Sequence, residues 1–325
     1  MFGLLKALGY IILALIAAVG VLWVVGPYEP ADMSRRFDAS QIGDDIDAYL
    51  AAEEAKVEGI TPGAEKSVVW AGSPGEKTDL AIVYLHGFSA SPIEARPVPE
   101  RVASSLGANL VRVRLKGHGR DGAAMATATV ADWVRDMDEA LAIADRIADR
   151  TIVLGVSTGA TLVSAGLVED RADQIDGVVM MSPNFKVRNP LAVVLEMPAV
   201  RYWGPVAFGA ERSWEPHNEE HARGWTTTYP TVATLPMAAM VKAARETDYS
   251  DIQIPVLMLY ASTDQVIDPD FAKEILAGWG GPVTLSEHTL TSDDDPSQHL
   301  LAGDALSPAR NTLVAEEIIA WIEGL

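Results

Sequence analysis

The sequence predicts an α/β fold, a mostly parallel central sheet with helices on both faces. Two observations predict it. Strand-like and helix-like segments alternate between residues 67 and 322, the pattern of parallel strands joined by crossover helices. Several of the strand-like segments are unbroken apolar runs, as suits strands covered on both sides. A third feature, about seventy residues without a good strand signal at 184–254, predicts an inserted, mainly helical cap, because normal connections are far shorter.

The expected strands are 67–71, 80–85, 109–115, 151–156, 177–182, 256–260 and 283–288. Helical periodicity is expected over 97–106, 130–148, 158–168, 269–277 and 308–322, with a further piece at 233–245 inside the insertion. Open α/β sheets bind ligands at the carboxyl edges of their strands. The cap is expected over that edge, where its Trp203, Trp214, Trp225, Tyr202 and Tyr229 either line an acyl or aryl pocket or simply pack the cap down.

The amino-terminal stretch differs from the rest. Ala7 to Val25 holds no charged residue and is rich in Ile, Leu, Val and Ala, enough for a helix to cross a bilayer core of about 30 Å. Lys6 precedes it, Trp23 and Tyr28 flank its far end, and Gly26-Pro27 stops the helix. A cleaved signal peptide is the rival reading, but no small-x-small cleavage site follows Val25. The expected division is therefore a membrane anchor at 1–26, a connector with a short helix at 27–66, and a main domain at 67–325 with the cap at about 184–254. The expected orientation puts the short N-terminus in the cytoplasm and the body outside it.

Composition excludes several classes. A net charge of −20 repels phosphate backbones, so no nucleic-acid partner is expected. The absence of cysteine removes disulfides, thiolate catalysis and Cys-based metal sites. A hydrophobic fraction of 49% with 22% charged residues is that of a globular chain with a large core.

The chemistry centres on Gly155-Val156-Ser157-Thr158-Gly159, directly after the apolar run 151–154. A serine between glycines at a strand-to-helix turn is the arrangement of a nucleophile elbow, which exposes the hydroxyl at a helix N-terminus. Upstream, His86-Gly87-Phe88 follows a strand-like run and suits an oxyanion loop, with the N–H groups of Phe88 and Thr158 as the two donors. His86 itself is read as a loop brace. Downstream, Asp264 follows the run 256–260 and is the expected acid that orients an imidazole. Asp268, directly before Pro269, reads better as a helix N-cap. His299 is the expected base, preferred to His288, which falls at the end of a strand-like run. Asp293, Asp294 and Asp295 read as a solvated acidic loop; no metal and no cofactor is expected.

Six separated motifs now stand in order: His86-Gly87-Phe88, Lys116-Gly117-His118-Gly119, Asp132-Trp133, Gly155-x-Ser157-x-Gly159, Asp264-x-x-Ile267-x-Pro269 and Ser297-x-His299. Together they resemble the α/β-hydrolase superfamily, most closely the bacterial carboxylesterase and monoacylglycerol lipase group often described as serine-aminopeptidase-like. The resemblance covers about residues 67–325 and leaves the apolar N-terminus and the cap unmatched. It implies the α/β-hydrolase fold, acyl-enzyme chemistry with Ser157, His299 and Asp264, and an acyl ester or lipid substrate. The apolar helix, which the resemblance does not explain, is expected to anchor the chain in a bacterial inner membrane. The same triad serves peptidases, thioesterases, lysophospholipases and acyltransferases. A peptidase reading would be favoured by a pocket carboxylate, for which Glu94, Glu215 and Glu219 are the possible suppliers. A non-catalytic, membrane-tethered binding module is the reading from another class, and it requires a missing triad member.

Overall fold

The apolar runs form one seven-stranded sheet in the computed structural model, which describes residues 2–325. In chain order the elements begin with helix α1 (Phe2–Val25), α2 (Ile46–Glu54), strand β1 (Ser67–Val69), β2 (Thr78–Leu85), α3 (Val98–Leu106), β3 (Asn109–Val113) and the short α4 (Gly122–Met125). They continue with α5 (Val130–Ile147), β4 (Ala148–Val156), α6 (Thr158–Gly166), β5 (Gly177–Met181), α7 (Val200–Phe208), β6 (Glu211–Ser213), α8 (Glu219–Gly224) and β7 (Thr228–Pro230). The chain closes with α9 (Thr234–Glu246), β8 (Val256–Tyr260), α10 (Pro269–Ala277), β9 (Val283–Glu287) and α11 (Asn311–Glu323).

The strand order is β1-β3-β2-β4-β5-β8-β9. Every neighbouring pair is parallel except β1 with β3 at one edge. This is the mostly parallel α/β sheet that the apolar runs and crossover helices predict, and the α/β-hydrolase fold that the resemblance implies. Side chains alternate across a strand, and β2 divides accordingly. Ala81, Val83 and Leu85 join a core with α2, α5, α6, α9 and α10. Leu80, Ile82 and Tyr84 join a second core with α3 and α11. Burying each such large apolar side chain stabilises the fold by about 1.5–3 kcal/mol.

Local signals place the helices. Thr129 and Asp132 form a reciprocal capping box at the start of α5. Asp268 accepts the N–H of Phe271 at 3.2 Å and caps α10, the role its place before Pro269 predicts.

The connector is docked on the body. Met33, Ile42, Ile46 and Leu50 are buried in the first core. Leu167–Arg171 is a π-helical turn after α6, which brings Arg171 inward. Its guanidinium donates to Asp138 at 2.5 and 3.1 Å and to the carbonyl of Met33 at 3.0 Å. Arg146, in the last turn of α5, donates to the carbonyls of Ile42 and Ala39, both at 2.8 Å.

The helix α1 ends at Val25, where Gly26-Pro27 stops it. Among the described residues, Leu5–Val25 is the stretch long and apolar enough to cross a membrane, with a mean hydropathy of 2.7 and none of it buried. A signal sequence has the same properties.

Between β5 and β8, where no strand was expected in a mainly helical insertion, the structure holds two short strands. The segments β6 and β7 pair as an antiparallel two-stranded hairpin. Both are three residues long and β6 is exposed throughout, so neither has the apolar alternation by which strands are read. The helix α9 packs on α6, and its Met240, Val241 and Ala244 enter the first core.

Candidate active site

The carboxyl ends of β4, β5 and β8 are drawn together by backbone hydrogen bonds from Ser157 to Met181 and from Ser182 to Leu259, each at 2.8 Å. At the end of β4 the chain turns sharply into α6. Ser157 sits at the turn with φ 49° and ψ −111°, a conformation costly for a residue with a side chain and found where surrounding structure enforces it. The flanking glycines permit the turn. A Cβ on Gly155 would lie 2.6 Å from the backbone of Ala160, and one on Gly159 would lie 2.2 Å from the carbonyl oxygen of Leu85. Thr158 is the first residue of α6, where helix geometry leaves its N–H without an intrahelical acceptor.

Asp264 follows β8 and is buried. One carboxylate oxygen accepts the N–H groups of Val266 and Ile267 at 2.7 and 2.9 Å, and the other lies 2.7 Å from Nδ1 of His299. Burial opposes charging of the imidazole, but Asp264, by charge and hydrogen bond, together with Asp295 and Glu94, holds the His299 pKa above its ordinary value. Ser157, His299, Phe88 and Thr158 line one cavity of about 380 Å³. Trp214, Trp225 and Tyr229 also line it. Of the five aromatic residues singled out in this region, these three line the cavity; Trp203 and Tyr202 do not.

Of the other histidines, His217 and His221 line this cavity, whereas His288, His86 and His118 do not. His288 lies between Arg310, which donates to its Nδ1 at 2.7 Å, and Glu317, 3.0 Å from its Nε2. It does not line the cavity of Ser157. His86 is fully buried; its Nε2 accepts the N–H of Leu115 at 3.1 Å and its Nδ1 lies 2.8 Å from the Gly87 carbonyl. Burial and the neighbouring His118 keep it well below the usual histidine pKa. Such a neutral, doubly engaged ring braces the loop, as its position before Gly87 predicts. His118 packs edge-on against Phe88 and Trp133, and burial depresses its pKa to about 4. Two of the sequence motifs meet here: Trp133 donates to the carbonyl of Lys116 at 3.0 Å, and Lys116 reaches Asp132 at 2.7 Å.

The acidic run 293–295 is not the solvated loop expected from its composition. Asp294 and Asp295 are buried. Asp295 accepts the N–H groups of Ser297, His299 and Leu300 at 2.9, 3.0 and 2.7 Å. It is the residue that shapes the loop carrying His299, and a run of three aspartates in a sequence gives no sign of this. Among the described residues no cluster of His, Cys, Asp and Glu is arranged to hold a metal. Asp295→Ala is expected to free the loop and to lower turnover about 10–100-fold, since a small misplacement of a reacting group is costly. Asp295→Asn, which keeps one acceptor oxygen, should recover part of the loss. Equal turnover of Asp295→Ala and wild type would show that the loop holds itself.

Of the three carboxylates considered for the pocket, Glu215 and Glu219 are exposed. Glu94 lines the cavity. It accepts the N–H of Gly87 at 2.7 Å and lies 3.2 Å from the Tyr84 hydroxyl. Burial raises its pKa to about 7, against the lowering effects of the Gly87 N–H, His299 and Tyr84.

A strained serine at a β-to-α turn, followed in chain order by a buried aspartate and a histidine at the same sheet edge, places the protein in the α/β-hydrolase class. The chain belongs to the family described as serine aminopeptidase, S33, whose model matches residues 76–284. Similar solved structures share the fold. One comes from the work on LipS and LipT, two metagenome-derived lipolytic enzymes; it is 20% identical with a TM-score of 0.67, over 82% of this chain and 100% of that one. The monoacylglycerol lipase of Paleococcus ferrophilus is 17% identical with a TM-score of 0.52, over 79% and 98%. Est1E of Butyrivibrio proteoclasticus, solved with ferulic acid bound, is 17% identical with a TM-score of 0.53, over 80% and 94%. No curated protein matches the chain.

Proposed function

We propose that the protein is a serine hydrolase that cleaves carboxylic esters of lipophilic acyl groups through an acyl-enzyme. The observation that carries this reading is the shared cavity. Ser157 and His299, the latter held by Asp264 at 2.7 Å, face a space walled by aromatic side chains with no Lys or Arg among its lining residues. An uncharged acyl group suits such walls.

In this mechanism Ser157 Oγ attacks the ester carbonyl while His299 takes its proton. The N–H groups of Phe88 and Thr158 donate to the oxyanion that forms. His299 then passes the proton to the leaving alcohol, and water, with His299 as base, releases the acid and restores Ser157. Asp264 holds the imidazole tautomer and stabilises its charged form. No cofactor or metal takes part. The N-terminal helix anchors the chain in a bacterial inner membrane with the body outside the cytoplasm, followed by the connector at 27–66 and the hydrolase domain at 67–325 with its cap at about 184–254.

One observation favours a second reading. Glu94 supplies a carboxylate in the cavity wall, a group suited to a free amino terminus, so hydrolysis of aminoacyl substrates is the alternative. A panel of p-nitrophenyl esters from acetate to palmitate, with monoacylglycerols and aminoacyl anilides alongside, separates the two. Short to medium acyl esters are expected to turn over fastest. Faster cleavage of aminoacyl anilides than of every ester would overturn the ester reading.

A further inference from the structure

The cap carries an apolar surface that the hydrolytic site does not use. Leu191, Val193, Tyr202 and Val206 are between 59% and 88% exposed. Four large apolar residues so exposed within sixteen positions form a patch that soluble surfaces seldom carry without a partner. Its place in the fold says what the partner is. The carbonyl of Pro27, two residues beyond the end of α1, accepts the N–H of Ala199 at 2.8 Å. Glu29 accepts two hydrogen bonds from Arg201, one of them at 3.0 Å. The exposed residues of α7 therefore begin beside the point where the membrane-length helix ends.

One further observation agrees. A second cavity, of about 330 Å³, adjoins this face at Leu191 and is lined also by Leu195, Phe208 and Arg212. It shares Val187, Tyr229 and Met237 with the cavity of Ser157.

We propose that the cap face formed by Leu191, Val193, Tyr202 and Val206 lies in the lipid surface beside the emerging helix, so that an acyl chain passes from the membrane through the second cavity to Ser157. This rests on the anchored-esterase reading above. The occupant is the bilayer itself, because the patch continues directly from a segment fit to cross one.

The chain has no cysteine, so single-cysteine variants of the full-length protein can be labelled at one position each. Tyr202→Cys, Val206→Cys and, on the exposed side of α11, Glu316→Cys would carry an environment-sensitive fluorophore. Each is placed in vesicles of phosphatidylethanolamine and phosphatidylglycerol. Labels at 202 and 206 are expected to shift to the blue and to be quenched several-fold more by doxyl-labelled lipid than the label at 316. Equal quenching of all three by aqueous iodide, in protein that resists carbonate washing, overturns the inference and leaves the anchor standing. Release by carbonate overturns the anchor, and the inference with it. Labels shielded from both quenchers in proportion to protein density would show a second copy of the chain on the patch and also overturn it. Activity gives an independent reading. Val206→Asp should leave p-nitrophenyl acetate turnover in solution unchanged and lower turnover of vesicle-borne monolauroylglycerol about tenfold, because a charge resists burial in lipid. An equal effect on both substrates counts against the lipid face.

Discussion

Ser157→Ala is expected to abolish covalent labelling by a fluorophosphonate probe and to cut ester turnover by about 10⁵-fold or more, with melting unchanged. The size follows from the role: a nucleophile acting as a unit with its base leaves, once removed, only binding and oxyanion stabilisation. The fold should tolerate the change. The strained backbone at φ 49° is imposed by Met181, Ala160 and the flanking glycines rather than by the hydroxyl. Labelling that survives Ser157→Ala would remove Ser157 as nucleophile. A wild-type chain that takes up no probe would favour the binding-module reading.

Asp264→Asn is expected to lower ester turnover by about 10⁴-fold, because an amide at this position favours the wrong imidazole tautomer and leaves the charged ring unsupported. It should also move the acid limb of the pH profile, and the sign can be worked out. His299 must be neutral to accept the serine proton, so kcat/KM falls as pH drops through its pKa. Burial disfavours the charged ring, yet Asp264 outweighs burial and raises that pKa. Removing the charge leaves burial less opposed, so the limb moves to lower pH. Glu94, pushed up to about 7 by burial, also titrates near neutral pH. Glu94→Gln separates the two groups: it also removes a charge that raises the His299 pKa, so its limb should move the same way but less. A limb that stays in place or rises in Asp264→Asn would sink the assignment of Asp264.

The sheet was legible because its inner strands are buried on both faces, which leaves an apolar signature in runs such as Leu80–Leu85 that no helix of that length needs. The elbow was legible for a steric reason: few residues other than glycine fit at 155 and 159 when a Cβ there would meet backbone at 2.6 and 2.2 Å. What stayed hidden depends on partners distant in sequence. Asp295 looks like one acid among three until its carboxylate is seen to gather the N–H groups of its own loop. Arg171 looks like a surface residue, but it is buried against Asp138, across 33 positions. The hairpin of the insertion is too short and too exposed to alternate.

The buried connector limits how the catalytic body moves. Between the last residue of the apolar helix and the buried Met33 run only a few residues, which at full stretch reach no more than ~3.6 Å each. Pro27 and Glu29 are already tied to the cap within that span. A long slack leash would let the body tumble and sample every direction. This one acts as a stiff mount with a fixed aim. On the anchored reading proposed above, Ser157 is thereby kept at a nearly constant height and heading above the bilayer, and its search for substrate becomes a lateral sweep in two dimensions.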